Sequence, residues 1–267
     1  MKNQACGDTR PDSLPGNVIA EMVEPLFFWE TKSAPAIGQS VEIGGAEAKH
    51  AASVRRMRVG EKLQLTDGKG LRVRGVISSV AADLLTISVT EVNQVAEPKL
   101  KTVLIQALAK GDRDELAIQA CTEIGVNEVI PWAASRSVSR WEGPKIAKGI
   151  SRWQSIVSEA AKQSLRVYTP QVRELVSTNQ LATMVSSFDL VLVLEPTAAE
   201  KLGDVTLPQQ GSIALVVGPE GGIAEAEIEQ LVAAGARSVA LGDSVLRTST
   251  AGIAALSVIH GQIEGWA

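Results

Sequence analysis

Between residues 22 and 96 the apolar positions come in short runs that alternate with polar ones. After Met22, the segment Val-Glu-Pro-Leu-Phe-Phe-Trp reads as a first strand. Ser40–Ile43, Lys62–Thr66, Leu71–Ser78 and Leu84–Val92 follow as alternating or β-branched runs. Gly44-Gly45 and Asp67-Gly68 punctuate them as turns. Only Ala46–Met57 has a helical pattern, so a small β-barrel is the expected solution. The pattern changes after Glu97-Pro98. Thr102–Ala107 is strand-like and Glu128–Pro131 follows it, while Asp189–Leu194, Ser212–Val217 and Ser238–Leu241 are short apolar runs. Helical stretches are expected at Asp114–Ile124, Lys145–Leu165, from Ala224-Glu225 onward, and at Ile253–Ile263. Buried strands alternating with amphipathic helices predict an α/β domain with a parallel sheet covered on both faces. The expected organisation is a tail at 1–21, a barrel at 22–96 and an α/β domain at 97–267. The polar, Pro- and Gly-containing tail is expected to be disordered, with Met22 opening the folded part.

Composition adds three constraints. Nine aromatics among 267 residues leave the cores to Val, Ile, Leu and Ala. The two cysteines, Cys6 and Cys121, suggest no disulfide framework, and no apolar run approaches the ~20 residues of a membrane span, so a cytoplasmic location is expected. The net charge of −4 conceals two basic windows. Residues 49–74 hold eight Lys/Arg against Glu61 and Asp67, and residues 136–173 hold eight against Glu142 and Glu159. Segregation of this kind suits a phosphate-binding face.

In an open α/β sheet, ligands sit beyond the carboxyl ends of the strands. Three such ends stand out: Leu194-Glu195-Pro196, Gly218-Pro219-Glu220-Gly221-Gly222, and Leu241-Gly242 leading to Leu246-Arg247-Thr248. GPEGG is neither a GxGxxG nor a phosphate-loop motif, because no Lys-Ser/Thr follows. Alone it is equally a tight strand–helix turn. The third segment sets an arginine and three hydroxyls before an apolar helix, more than capping requires. His50 and His260 have no metal-ligand spacing, so no metal is expected. His260 and Cys121 read as parts of packed helices.

GPEGG, followed by Leu-Gly-Asp-Ser-Val-Leu-Arg-Thr-Ser-Thr-Ala at 241–251, resembles the SPOUT class of methyltransferases. PLFF at 25–28, His50 with Val54-Arg55-Arg56, ALAKGDRDE at 107–115, TEIGVNEVIPW at 122–132, SRSV at 135–138 and RWQSIVSEAAKQSLR at 152–166 narrow the resemblance. They point to the RsmE-type 16S ribosomal RNA uridine N3-methyltransferases. The resemblance implies a PUA-like barrel that binds RNA, an α/β domain with a C-terminal deep trefoil knot, and a homodimer. It implies S-adenosyl-L-methionine as cofactor and 16S rRNA of the small ribosomal subunit as substrate. Leu194, Glu195, Gly218, Pro219, Glu220, Gly221, Leu241, Gly242, Leu246, Thr248 and Ala251 would then surround the cofactor. Many members of the class have Thr-Glu-Thr where this chain has Thr248-Ser249-Thr250, so a role for that Glu does not carry over.

Methyl transfer to uridine N3 needs proximity and stabilisation of charge on the base, not a nucleophile. Arg247 is the candidate that stabilises charge on the uracil carbonyls. Glu220 either orients the base or accepts its proton. His50, Arg55, Arg56, Arg136, Gln163 and Arg166 are candidates for RNA contact. Two alternatives stay open at this point: methylation of another base or a ribose 2′-hydroxyl, and a non-catalytic RNA-binding module for ribosome assembly.

Overall fold

The computed structural model describes residues 24–264, so the tail at 1–21, the opening at Met22 and Cys6 lie outside the described residues. The first unit is a five-stranded sheet of β1 (Leu26–Phe28), β2 (Ser40–Gly44), β3 (Lys62–Thr66), β4 (Leu71–Val80) and β5 (Leu84–Gln94). Its order is β1-β3-β4-β5-β2. β1 runs parallel to β3 and the other pairs are antiparallel. The Trp29 indole donates to the Glu42 carbonyl at 3.1 Å, joining the two outer strands. Alternation sends Leu71, Val73 and Ile77 of β4 and Leu85, Ile87 and Val89 of β5 into one core with Phe27, Leu63 and Leu65. Asp67 makes the β3–β4 turn by accepting from the N–H groups of Lys69 (2.7 Å) and Leu71 (3.1 Å).

The single helix expected over 46–57 is two pieces, α1 (Gly45–Lys49) and a wider π turn over His50–Val54. Ala48 and Ala51 stay buried against the barrel while the chain swings out at Arg55 and Arg56. The Met57 N–H then returns to the Ala51 carbonyl. Packing on the barrel, not periodicity, sets this irregular path.

The second unit is a seven-stranded sheet: β6 (Leu100–Ala107), β7 (Glu128–Ala133), β8 (Gln171–Val172), β9 (Val176–Ser177), β10 (Leu190–Leu194), β11 (Gly211–Val217) and β12 (Arg237–Val239). The order is β12-β10-β11-β6-β7-β8, with β9 also on β7. Every pairing is parallel, as the continuous apolar runs predict. Leu192, Leu215 and Leu104 pack on α2 (Arg113–Ile124), α3 (Pro144–Gln163) and α6 (Thr248–Glu264) through Ile118, Trp153 and Ile259. The intervening Val193, Val216 and Ile105 face α4 (Thr178–Met184) and α5 (Glu225–Ala233) through Leu181 and Leu231. Burial on both faces is why these strands do not alternate.

The two units meet along residues 162–169. Lys162, 7% exposed, lies between Glu47 of α1 and Glu159, each 3.0 Å away. The Val167 carbonyl accepts from Thr66 Oγ1 (3.2 Å) and the Gly70 N–H (3.0 Å), and the Leu165 carbonyl accepts from Arg72 at 3.1 Å. Gly70, with φ +102°, lies against the Tyr168 ring, where a Cβ would come within 2.2 Å of the hydroxyl oxygen. Only glycine permits that approach. Among the described residues no helix is long and apolar enough to cross a membrane.

Candidate active site

Because β12, β10, β11 and β6 are adjacent and parallel, their carboxyl ends lie side by side. The loops leaving the first three enclose a cavity of about 390 Å³, within the ~300–1,000 Å³ usual for small-molecule sites. Leu194 and Glu195 line it from β10. Gly218, Pro219 and Glu220 line it from β11, and Leu241 and Leu246 from the loop after β12. Arg247, Thr248 and Ala251 complete that side at the start of α6. Gly221 and Gly242 belong to the same loops but not to the cavity wall. Gly218 allows its loop to fold tightly, since a Cβ there would come within 2.6 Å of Ile223 Cγ1.

Helix α6 begins at Thr248, five residues before the expected Ile253. Thr248, Ser249 and Thr250 therefore form its first turn, and the Arg247 carbonyl accepts from the N–H groups of Thr250 (2.8 Å) and Ala251 (2.9 Å). The Thr248 hydroxyl, 5% exposed, donates to the Gly218 carbonyl at 2.7 Å and accepts from Gln106 Nε2 at 2.9 Å. It ties the third loop to the second and to β6.

Pro196 of the first expected strand end lines the cavity too, and so do residues that pattern reading did not assign, above all Arg113, with Ser244 and Val245. Arg113 stands at the start of α2, within the segment that leaves the end of β6. A cation just past a parallel strand end was the available signal. Its Nη1 donates to Glu220 Oε1 at 2.8 Å, and the Lys110 N–H donates to the same oxygen at 2.9 Å. Burial pushes the Glu220 carboxyl up. Its own N–H, that of Lys110 and the Arg113 guanidinium outweigh this and hold it below the usual carboxylate range.

The RNA candidates divide. Arg55 and Arg56 are exposed beyond the π turn, and Gln163 is exposed at the end of α3. His50 is half-buried, with its ring edge-on to Phe27 at 6.2 Å. Arg136 donates to the Gly221 (3.1 Å) and Ile223 (3.3 Å) carbonyls and so braces the GPEGG loop. Arg166 is turned inward. Its guanidinium donates to the carbonyls of Thr122 (2.7 Å), Val126 (2.7 Å) and Gly125 (3.0 Å), closing the carboxyl end of α2. The hydrogen bonds of these two arginines to main-chain carbonyls are structural, whatever else they touch.

The RNA methyltransferase domain family matches residues 96–260, and the RNA methyltransferase PUA domain family matches residues 43–90. The ribosomal RNA small subunit methyltransferase E of Mycobacterium tuberculosis is 40% identical, over 92% of this chain and 94% of its own. The protein of the same name from Bacillus subtilis is 34% identical, over 91% and 98%. This chain belongs to the ribosomal RNA small subunit methyltransferase E family. Among solved structures, the family member from Neisseria gonorrhoeae bound to S-adenosyl methionine is 29% identical. It has a TM-score of 0.80, over 90% of this chain and 98% of that one.

Proposed function

We propose that the protein methylates N3 of a uridine in 16S ribosomal RNA of the small subunit, using S-adenosyl-L-methionine. The observation that carries this reading is the cavity at the ends of β10, β11 and β12, with an apolar wall and a cationic rim, in a chain of this family. The residues fit such a cofactor. Leu194, Val239, Leu241, Leu246 and Ala251 offer apolar surface to a flat base, and Glu195 and Ser244 offer polar atoms. When bound, S-adenosyl-L-methionine supplies a methyl carbon already activated on a sulfonium.

The chain's own groups do the rest. The apolar wall excludes water, and Arg247 stabilises negative charge on the uracil carbonyls. Methylation at carbon 5 would require a nucleophilic cysteine. Cys121 is fully buried in α2, away from the cavity wall, with its thiol pushed up to about 12 by burial. That removes Cys121 as a nucleophile for carbon 5. Arg55 and Arg56, with Gln163 and His50, hold RNA across the barrel and the end of α3. The trefoil knot, the homodimer and a cytoplasmic location, implied by the resemblance and the sequence, belong to the same proposal. Arg247→Ala should abolish methylation while calorimetry still detects cofactor binding; unchanged turnover would remove Arg247 from this role.

A further inference from the structure

The segment Ala107–Glu115 (ALAKGDRDE) has no part in the proposal so far, yet it is braced from two sides. Asp114, 4% exposed, accepts from the N–H groups of Ala109 at 3.0 Å and Glu115 at 2.8 Å. On the other side Glu220 Oε1 takes both the Lys110 N–H and Arg113 Nη1. Arg113 is thereby held on the wall of the cavity that Arg247 also lines, with 43% of its side chain exposed. Its Nε and Nη2 have no hydrogen-bond partner among the described residues. A guanidinium pinned through one nitrogen still presents a planar donor edge to a ligand.

We infer that Arg113 contacts the target base as a second catalytic cation beside Arg247, and that Glu220 is the positioning residue that holds it there. The inference rests on the reading of the cavity as a uridine N3-methylation site. Uracil N3 becomes nucleophilic when its N–H bond breaks, the electron pair stays on nitrogen and the proton passes to solvent water. The charge of the resulting imide spreads to O2 and O4, both of which accept from guanidinium donors. Two cations bring that ionisation closer to neutral pH. Glu220 suits the positioning role better than that of proton acceptor, because hydrogen bonding and Arg113 favour its ionised form and make it a weak base.

The test is single-turnover methylation of small subunits purified from a strain lacking the enzyme, followed across a pH series. Wild type, Arg113→Met, Arg113→Lys and Glu220→Gln are compared, each with calorimetry for S-adenosyl-L-methionine and a melting curve. Arg113→Met is expected to lose about 10²-fold in rate, with the rate still climbing at pH values where wild type has levelled off. Its cofactor affinity should match wild type. Arg113→Lys should recover much of the rate, and Glu220→Gln, which keeps its acceptor oxygen, should stay within about tenfold of wild type with the pH limb intact. A wild-type rate in Arg113→Met, or weakened cofactor binding in it, overturns the inference. So does loss of the pH limb in Glu220→Gln. If Arg113→Met does not fold, Arg113→Gln carries the same test, and a wild-type rate with an unshifted pH limb in it overturns the inference equally. A wild-type enzyme that forms no 3-methyluridine refutes the parent reading instead.

Discussion

Thr248 shows how much one side chain carries at this site. Its hydroxyl links Gly218 and Gln106, residues 30 and 142 positions away. Thr248→Val keeps the shape and removes both bonds. The expected cost is about 1–2 kcal/mol of stability, with weaker cofactor binding because the GPEGG loop loses its tie. Melting curves and calorimetry check both, and a variant unchanged in both would deny the strut role. The hydroxyls were legible in the sequence, but their use was not, because the partners are remote in sequence. Arg136 and Arg166 teach the same lesson. Each contributes to a basic window, yet Arg136 is bound to carbonyls 85 and 87 residues away and Arg166 to carbonyls 40–44 residues away. Cys121 was legible as core, and its high thiol value makes a clear expectation. Iodoacetamide at pH about 8 should leave the Cys121 peptide unmodified in the native protein and modify it in urea. Peptide mapping that finds it modified in the native protein would contradict the burial.

At the scale of elements, the start of α5 is organised around Glu227, 7% exposed. Its carboxylate accepts from Thr178 Oγ1 (2.6 Å), the Ser135 hydroxyl (2.8 Å) and N–H (2.9 Å), and the Ala224 N–H (3.2 Å). Burial raises the carboxyl value, and these donors outweigh it, so the folded value lies below the ordinary 4.5. A lowered folded value contributes stability above about 4.5, lost as pH falls through it. Acid should therefore loosen the loop that holds Arg136 against GPEGG. Glu227→Gln should melt lower at neutral pH and show a flatter acid limb than wild type; parallel limbs would contradict this. The buried parallel strands were visible as continuous apolar runs. β8, β9 and α4 were not, since two-residue strands and a seven-residue helix carry too little periodicity. The start of α6 was missed because Thr-Ser-Thr reads as loop until tertiary bonds draw it into the helix.

Across the whole molecule, the barrel is joined to the catalytic unit by residues 162–169. Glu47→Ala leaves buried Lys162 only its partner Glu159 and should cost about 2 kcal/mol, below the ~3–5 kcal/mol of a fully orphaned buried charge. A melting temperature equal to wild type would show that this pair does not hold the seam. RNA affinity should come from exposed cations on both units. Arg55→Ala/Arg56→Ala should weaken binding and reduce the slope of log K against log salt by about 2; an unchanged slope would place the RNA elsewhere. The positive windows were visible in the sequence, whereas the choice of which cations face outward came only from folding. The measurement that tests the central claim most directly is nucleoside mass mapping of 16S rRNA from a deletion strain, before and after incubation with the enzyme and S-adenosyl-L-methionine. The account predicts one 3-methyluridine, absent before incubation and restored after it. A methyl group on another base or on a ribose, or none at all, would contradict it.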